Sequence, residues 1–448
     1  MSGALTNLLA FIVAISVLVA VHEYGHYLVG RLCGMKVLRF SIGFGKPIWT
    51  WIAGADRTEY CISAIPLGGY VKFLDEREGP VDEADQGRAF NHRPVPARIA
   101  VLLAGPFFNF LFAALAYWVL FISGVPTIKP AVGQVTDGSY AADAGLEFGD
   151  RILAVGDRSA SDWEAVLVAM LDQLVSDGRV ELELEAEDGW VRTAVIDVGG
   201  DRTRLTEPGM LFDGLGFTPW QPPAVVGSVE GAAAAGGILE GDRITSIDGE
   251  AVTSFADLQR IVSARPGETL RVELVRDGAP ESVVVTLGSR EQDGERRGFL
   301  GVGIDRAYGD YLYVRKFGPL QALGEALQRT WTSTGFTVKM LARMVIGEVS
   351  IKNISGPINI AQYAGDSAAA GLNAFLNFLA LVSISLGVLN LLPIPILDGG
   401  QIVYQSVELI KGSPMSLRSQ LIGQQVGILA LLLLMSFAFY NDIARILG

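Results

Sequence analysis

The chain has 448 residues, half of them apolar, and a formal net charge of −13. So apolar a composition excludes an ordinary soluble protein, while the charge must sit in water, so a membrane protein with a water-facing part is expected. The acidic balance argues against nucleic-acid binding, because a polyanion is bound by basic surfaces.

The first apolar run, about Leu5 to Gly30, is long enough to cross a bilayer core about 30 Å thick. Inside it stands His22-Glu23-Tyr24-Gly25-His26. On a helix this spacing puts two imidazoles on one face, one turn apart, ready to share a zinc ion, with a glutamate placed to act on water at the metal. The chain has only three histidines, and two of them lie in this apolar segment. Ionisable and metal-binding side chains are excluded from membranes unless function requires them. The competing reading is a chance match with ordinary interface histidines. No Lys or Arg precedes Arg31, so the segment lacks the basic start of a cleavable signal and reads as a retained anchor.

The loop that follows carries Arg31, Lys36, Arg39, Lys46, Arg57, Lys72, Arg77, Arg88, Arg93 and Arg98, which places it in the cytoplasm and the N-terminus outside. His22 lies 17 residues after Leu5, about 25 Å along a helix, so the metal site is expected within the bilayer, nearer its cytoplasmic face. Met35 to Phe73 is glycine-rich, with β-forming stretches such as Val37-Leu38-Arg39-Phe40 and Tyr70-Val71-Lys72-Phe73, and predicts hairpins. A strand edge is tolerated in lipid only if covered or lining a cavity. Beside a zinc site it could pair with an extended substrate; equally, the hairpins could serve as packing that covers the site. A second span runs from about Ala97 to Ser123; its Gly105-Pro106-Phe107-Phe108-Asn109 reads as helix packing.

From 127 to 318 the chain has 33 acidic against 18 basic residues, as a water-facing region would. It contains a repeat: Gly149-Asp150-Arg151-Ile152 and Gly241-Asp242-Arg243-Ile244, each followed by a turn at Asp157 or Asp248-Gly249 and a helical stretch. The copies look like tandem PDZ domains, with grooves beside Val132–Val135 and Val225–Val229, acting as peptide binders or as steric filters. Leu320 to Ile346 is apolar but interrupted by Glu325, Arg329, Lys339 and Arg343, and reads as an amphipathic helix on the membrane surface. Lys352 to Ile360 reads as a turn-rich surface loop. The third span, about Leu372 to Leu392, runs into Asn390-Leu391-Leu392-Pro393-Ile394-Pro395-Ile396-Leu397-Asp398-Gly399-Gly400. The prolines break the helix, and Asp398 at its cytoplasmic end is a carboxylate at the depth of the histidines, suited to complete the zinc site. The fourth span is about Ile422 to Tyr440. Cys33 and Cys61 have no metal-site spacing, and no disulfide is expected.

HExxH in the first span, paired with a distal NxxPxPxLDG, resembles the site-2 proteases (M50), the intramembrane zinc metalloproteases, and the four spans with two PDZ-like domains resemble their bacterial RseP-type branch. The resemblance covers essentially the whole chain. It implies that His22, His26 and Asp398 bind Zn2+, that Glu23 is the general base, and that Asn390, with Pro393 and Pro395 in the same motif, helps hold an unwound substrate backbone. It also implies a membrane-reentrant β-loop whose GxG is Gly43-Phe44-Gly45, contacting substrate, a place near the active site for Gly105-Pro106-Phe107-Phe108-Asn109, with no chemistry assigned to Asn109, and a gating role for the segment before the third span. The expected fold is a polytopic α-helical membrane protein with four transmembrane helices, a reentrant β-hairpin region and two extracytoplasmic α/β PDZ domains. The expected organisation is a first half of the catalytic membrane core (1–125), PDZ copies (126–220 and 221–307), a surface helix and loop (308–370), and the second half of the core (371–448). By resemblance the chain sits in the bacterial inner membrane with its PDZ copies periplasmic. Its partners are then the lipid bilayer and single-span membrane proteins, either an anti-sigma factor already trimmed by another protease or remnant signal peptides. A non-catalytic PDZ scaffold is the remaining alternative.

Overall fold

The computed structural model describes residues 2–186, 188–292, 295–305 and 311–447. They form two compact units, one of residues 1–125, 316–347 and 351–448, the other of residues 126–315 and 348–350. The expected boundary between 307 and 308 lies outside the described residues.

The first unit is helical. Among the described residues, four helices are long and apolar enough to cross a membrane. They belong to α1 (Ser2–Leu32), α2 (Val95–Ser123), α5 (Leu372–Asn390) and α7 (Leu417–Leu447); between them lie α3 (Pro319–Val345), α4 (Pro357–Ala369) and α6 (Asp398–Lys411). α2 starts after Pro94, with a further proline in its first turn, where a missing N–H costs nothing. It stops at Gly124, whose positive φ of 91° lets its N–H reach the Leu120 carbonyl at 3.0 Å.

One expectation is extended and two are corrected here. The expected amphipathic helix over Leu320–Ile346 is present as α3, and its buried stripe is packed on protein: Ala322, Ala326 and Thr330, four residues apart, are buried, and the two alanines join a core with Ala113, Tyr117 and Phe121 of α2. Small residues on one stripe let two helices approach closely. The Lys352–Ile360 loop gives way to α4 at Pro357. The first N–H groups of that helix are satisfied from far along the chain: the Asp442 carboxylate of α7 accepts from Gly356, Ile358 and Asn359 at 2.8, 2.9 and 3.1 Å. Third, Asp398 does not end the third span. α5 stops at Asn390, the prolines hold 391–397 out of helix, and Asp398 opens the separate helix α6.

Between α1 and α2 lie two long strands, β1 (Val37–Ala53) and β2 (Thr58–Phe73). They curl so that the first part of β1 is flanked twice by β2: Phe40 faces both Val71 and Tyr60, and Ser41 faces both Tyr70 and Cys61. The outermost ribbons are therefore 69–73 on one side and 49–53 on the other. The second shows Trp49, Trp51 and Ile52 at the surface.

The second unit holds two sheets of the same strand order. In the first, Arg158–Ser159, Arg151–Val155, Arg179–Glu185 and Val191–Asp197 lie side by side; in the second, Glu250–Ala251, Arg243–Ile247, Thr269–Arg276 and Ala279–Thr286 do. Val132–Val135 pairs with Phe217–Pro219, and Val226–Val229 with Val302–Ile304, so each expected groove strand already has a partner on one edge.

The repeated Gly-Asp-Arg-Ile has a structural explanation. Asp150 accepts the Glu147 N–H at 2.8 Å and the Arg192 guanidinium at 2.5 Å. Asp242 accepts the Leu239 N–H at 2.8 Å and the Arg276 guanidinium at 2.6 Å. Burial works to raise the Asp242 carboxyl, but the Arg276 guanidinium and the Leu239 N–H outweigh it and hold it below the usual carboxylate range. A lowered folded pKa gives stability that is full above the unfolded value, about pH 4, and is lost as pH falls through the folded value. Asp242→Asn is therefore expected to lower the thermal transition of the second sheet at neutral pH and to flatten its loss in acid. An unchanged acid limb, followed by hydrogen exchange of Arg243–Ile247, would count against this lock.

Candidate metal centre

α1 delivers His22 and His26 one turn apart, their ring centroids 4.8 Å from each other. His22, Glu23 and His26 are each 8–9 % exposed. α6 brings Asp398 across to them. Its Oδ2 lies 3.1 Å from His22 Nε2 and 3.5 Å from His26 Nε2, and the two Nε2 atoms are 3.1 Å apart. Donors about 2.0–2.1 Å from a tetrahedral zinc stand about 3.3–3.4 Å from one another, so the triangle has the size a zinc ion demands.

The chemistry of the donors fits as well. His26 Nδ1 lies 2.7 Å from the Val101 carbonyl, which only accepts, so Nδ1 carries the hydrogen and Nε2 presents a lone pair. Facing it is Asp398 Oδ2, buried and without a hydrogen-bond donor among the described residues. Two buried lone-pair atoms turned toward each other repel unless a cation lies between them.

Two structural features bring α6 to this place. Gly399 and Gly400 lie where a Cβ would overlap the Leu391 and Ile394 carbonyls, so only glycine lets the 391–397 loop fold back over the start of the helix. At the other end, Arg98 of α2 grips Glu408 of α6 with two bonds, 2.7 and 3.1 Å, in a largely buried pair. Removing one partner of a buried ion pair leaves the other charge uncompensated, which typically destabilises by about 3–5 kcal/mol. Arg98→Leu is thus expected to lower thermal stability strongly, and Arg98→Leu with Glu408→Leu to regain most of it; a double variant no better than the single would show that the pair does not pin α6.

α2 lines the other side of the centre with a stripe at Val101, Gly105 and Asn109. Val101 faces His26 through its carbonyl, Asn109 faces His22 with Nδ2 3.2 Å from Nδ1, and between them a Cβ on Gly105 would overlap His26 Nε2 and lie 2.7 Å from His22 Cε1. Gly25, inside the HExxH itself, is where α1 passes the Ala104 carbonyl with no room for a side chain. The resemblance implies that Gly105 and Asn109 lie near the active site but assigns them no chemistry; their contacts with the two histidines follow from a spacing of four in register with His22 and His26.

The outer ribbon of β2 closes a further side. A Cβ on Gly69 would lie 2.7 Å from Val19 Cγ1 and 3.0 Å from Glu23 Cγ, and the Val71 backbone N–H faces the Glu23 carboxylate. The Gly43-Phe44-Gly45 segment packs within the hairpin. Gly43 has φ of 93° and no room beside the Ser63 and Ile65 carbonyls, while the Phe44 ring lies over Gly68 and stacks on Tyr70. Asn390 is half-buried in the last turn of α5, with Pro393 exposed and Pro395 half-buried on the loop leading to Asp398. Next to the motif, Val21, Tyr24, Phe40, Phe108, Leu111 and Phe112 are among the residues around an apolar cleft of about 450 Å³.

Residues 10–434 match the model of peptidase family M50. The chain belongs to that family. It is a zinc metalloprotease of the site-2 type, and its relatives match end to end. The regulator of sigma-E protease RseP of Salmonella typhimurium and that of Escherichia coli are each 39% identical, covering 100% of both chains. A putative zinc metalloprotease of Neisseria meningitidis is 40% identical over 99% of this chain and 100% of its own.

Proposed function

We propose that this M50 peptidase hydrolyses a peptide bond within the membrane-spanning segment of single-span proteins of the bacterial inner membrane, with zinc held by His22, His26 and Asp398. The observation that carries the reading is the convergence of three donor atoms, 3.1–3.5 Å apart, on helices α1 and α6 of a unit built from apolar spans. When bound, zinc supplies Lewis-acid polarisation of the carbonyl under attack and acidifies the attacking water. Glu23 takes the proton from that water and passes it to the departing amine, a role that its place between His22 and His26 supports.

A helix hides its amides, so the substrate must be extended when cut. The backbone of the outer β2 ribbon, Gly68–Phe73, is the edge that meets Glu23, and its two glycines offer no side chains to block a strand. An incoming strand pairs there and takes over the Val71 N–H. Gly43, Phe44 and Gly45 support this edge from behind, through the contact of Phe44 with Gly68 and Tyr70. Asn390, Pro393 and Pro395 guide the substrate on the side of Asp398. Val71→Pro removes the N–H, yet proline is tolerated on a strand edge. It is expected to lose most cleavage while keeping zinc; full cleavage would exclude pairing at this position.

The names of the relatives support a role in sigma-E signalling, in which the substrate is an anti-sigma factor whose outer domain has already been trimmed. The basic residues between α1 and α2 support a cytoplasmic placement of that loop, with the PDZ-like copies periplasmic, where they filter substrates by size. The test uses purified protein in detergent and two single-span reporters, one with a short outer stub and one with a folded outer domain. Cleavage of the stub reporter should stop on chelation and return with zinc. Cleavage that survives chelation would overturn the reading, and equal cleavage of both reporters would remove the filter.

A further inference from the structure

Asn109 lies in the middle of α2, wholly buried, with its carboxamide against the ring of His22. As placed, Nδ2 faces His22 Nδ1 at 3.2 Å, and Oδ1 is buried without a donor among the described residues. An orphaned carbonyl oxygen in the membrane interior is expensive. The two ends of a carboxamide differ only by a half-turn about its last bond. A histidine that gives its Nε2 lone pair to a metal keeps its hydrogen on Nδ1, and that hydrogen needs an acceptor. The half-turned amide provides one: Oδ1 then accepts from His22 Nδ1.

We infer that Asn109 is a positioning residue for the metal centre, its carboxamide oxygen holding His22 in the tautomer and ring orientation that offer Nε2 to zinc. The inference rests on the zinc reading above. Its counterpart two turns earlier on the same helix is the Val101 carbonyl, which does the same for His26. The two histidines are thus oriented by one helix, α2. The helix is held in turn by α5, whose Ser383 hydroxyl donates to the Asn109 carbonyl at 2.8 Å.

The test is zinc affinity of the full-length protein in detergent, by competition with a chelator, for wild type, Asn109→Ala and Asn109→Asp. Loss of such an outer partner weakens metal binding by about 10–100-fold, the loss expected for alanine. Aspartate keeps an acceptor and should retain affinity near wild type. With the histidines 15N-labelled in the zinc-loaded protein, wild type should show a protected His22 Nδ1–H signal that alanine exposes to water exchange; a purely structural role would leave it unmoved. Unchanged affinity in Asn109→Ala, or Asn109→Asp losing zinc as alanine does, overturns the inference. If alanine does not fold, an unprotected Nδ1–H in wild type overturns it alone. Failure of wild type to bind zinc would instead sink the metal assignment itself.

Discussion

Glu23→Gln is expected to abolish cleavage of a single-span reporter while leaving close to one zinc per chain. Glutamine keeps the size of the side chain and can still meet the Val71 backbone, but it cannot accept the proton of the attacking water. General-base catalysis contributes about 10²–10⁴-fold in rate, so the residual activity should fall at or below detection. The proposed ligands His22, His26 and Asp398 are untouched, and their mutual distances of 3.1–3.5 Å involve no atom of Glu23. Metal content measured beside activity separates the two roles. Zinc lost together with activity would mean that Glu23 holds the centre together, and activity retained at wild-type level would mean that another group is the base.

Gly105→Ala should be as damaging by a different route. In an exposed helix the exchange of glycine for alanine adds about 1 kcal/mol of helix stability, so propensity alone favours the variant. The site forbids it, because the new methyl would overlap His26 Nε2 and crowd His22 Cε1. Both rings would have to leave the triangle of donors, and backbone on both helices stands in the way of a compensating shift, since α1 already passes the Ala104 carbonyl at Gly25. The expected result is a folded protein, with an unchanged or higher thermal transition, that no longer retains zinc and does not cleave. A Gly105→Ala variant with zinc near one per chain would show that α2 can back away, and that the close packing at this turn is not what sets the ligand geometry.

How much of this was legible in the sequence depends on whether the information is local. The four apolar spans follow from composition over a window the length of a bilayer crossing, and their helical form from the absence of any other way to satisfy a backbone in lipid. His22 and His26 could be read as a pair because helical periodicity alone fixes their relative place. Asp398 could be matched to them by its depth and by the cost of a bare carboxylate there. The repeat of Gly-Asp-Arg-Ile was visible, but its arginine–aspartate lock was not, because Arg192 and Arg276 lie more than 30 residues further on, the first on the far edge strand of its sheet and the second on the adjacent strand of its own.

What the tertiary structure decided is what depends on partners distant in sequence. Whether Pro357 opened a helix rested on Asp442, 85 residues away on another helix. Asp398 stands at the head of its own helix because Gly399 and Gly400 admit the preceding loop and Arg98 holds the far end. Which strand of the hairpin reaches Glu23 was settled by a double register that no alternation pattern encodes, and it put Gly68–Phe73 there, with Gly43-Phe44-Gly45 behind it. The resemblance implies only that Gly105 and Asn109 lie near the centre; which ring each one meets is decided by the packing of α2 along the histidine face of α1. A sequence carries residue chemistry and local period; the meeting of two faces is set by packing over the whole unit, and there the outer partners of the metal site were chosen.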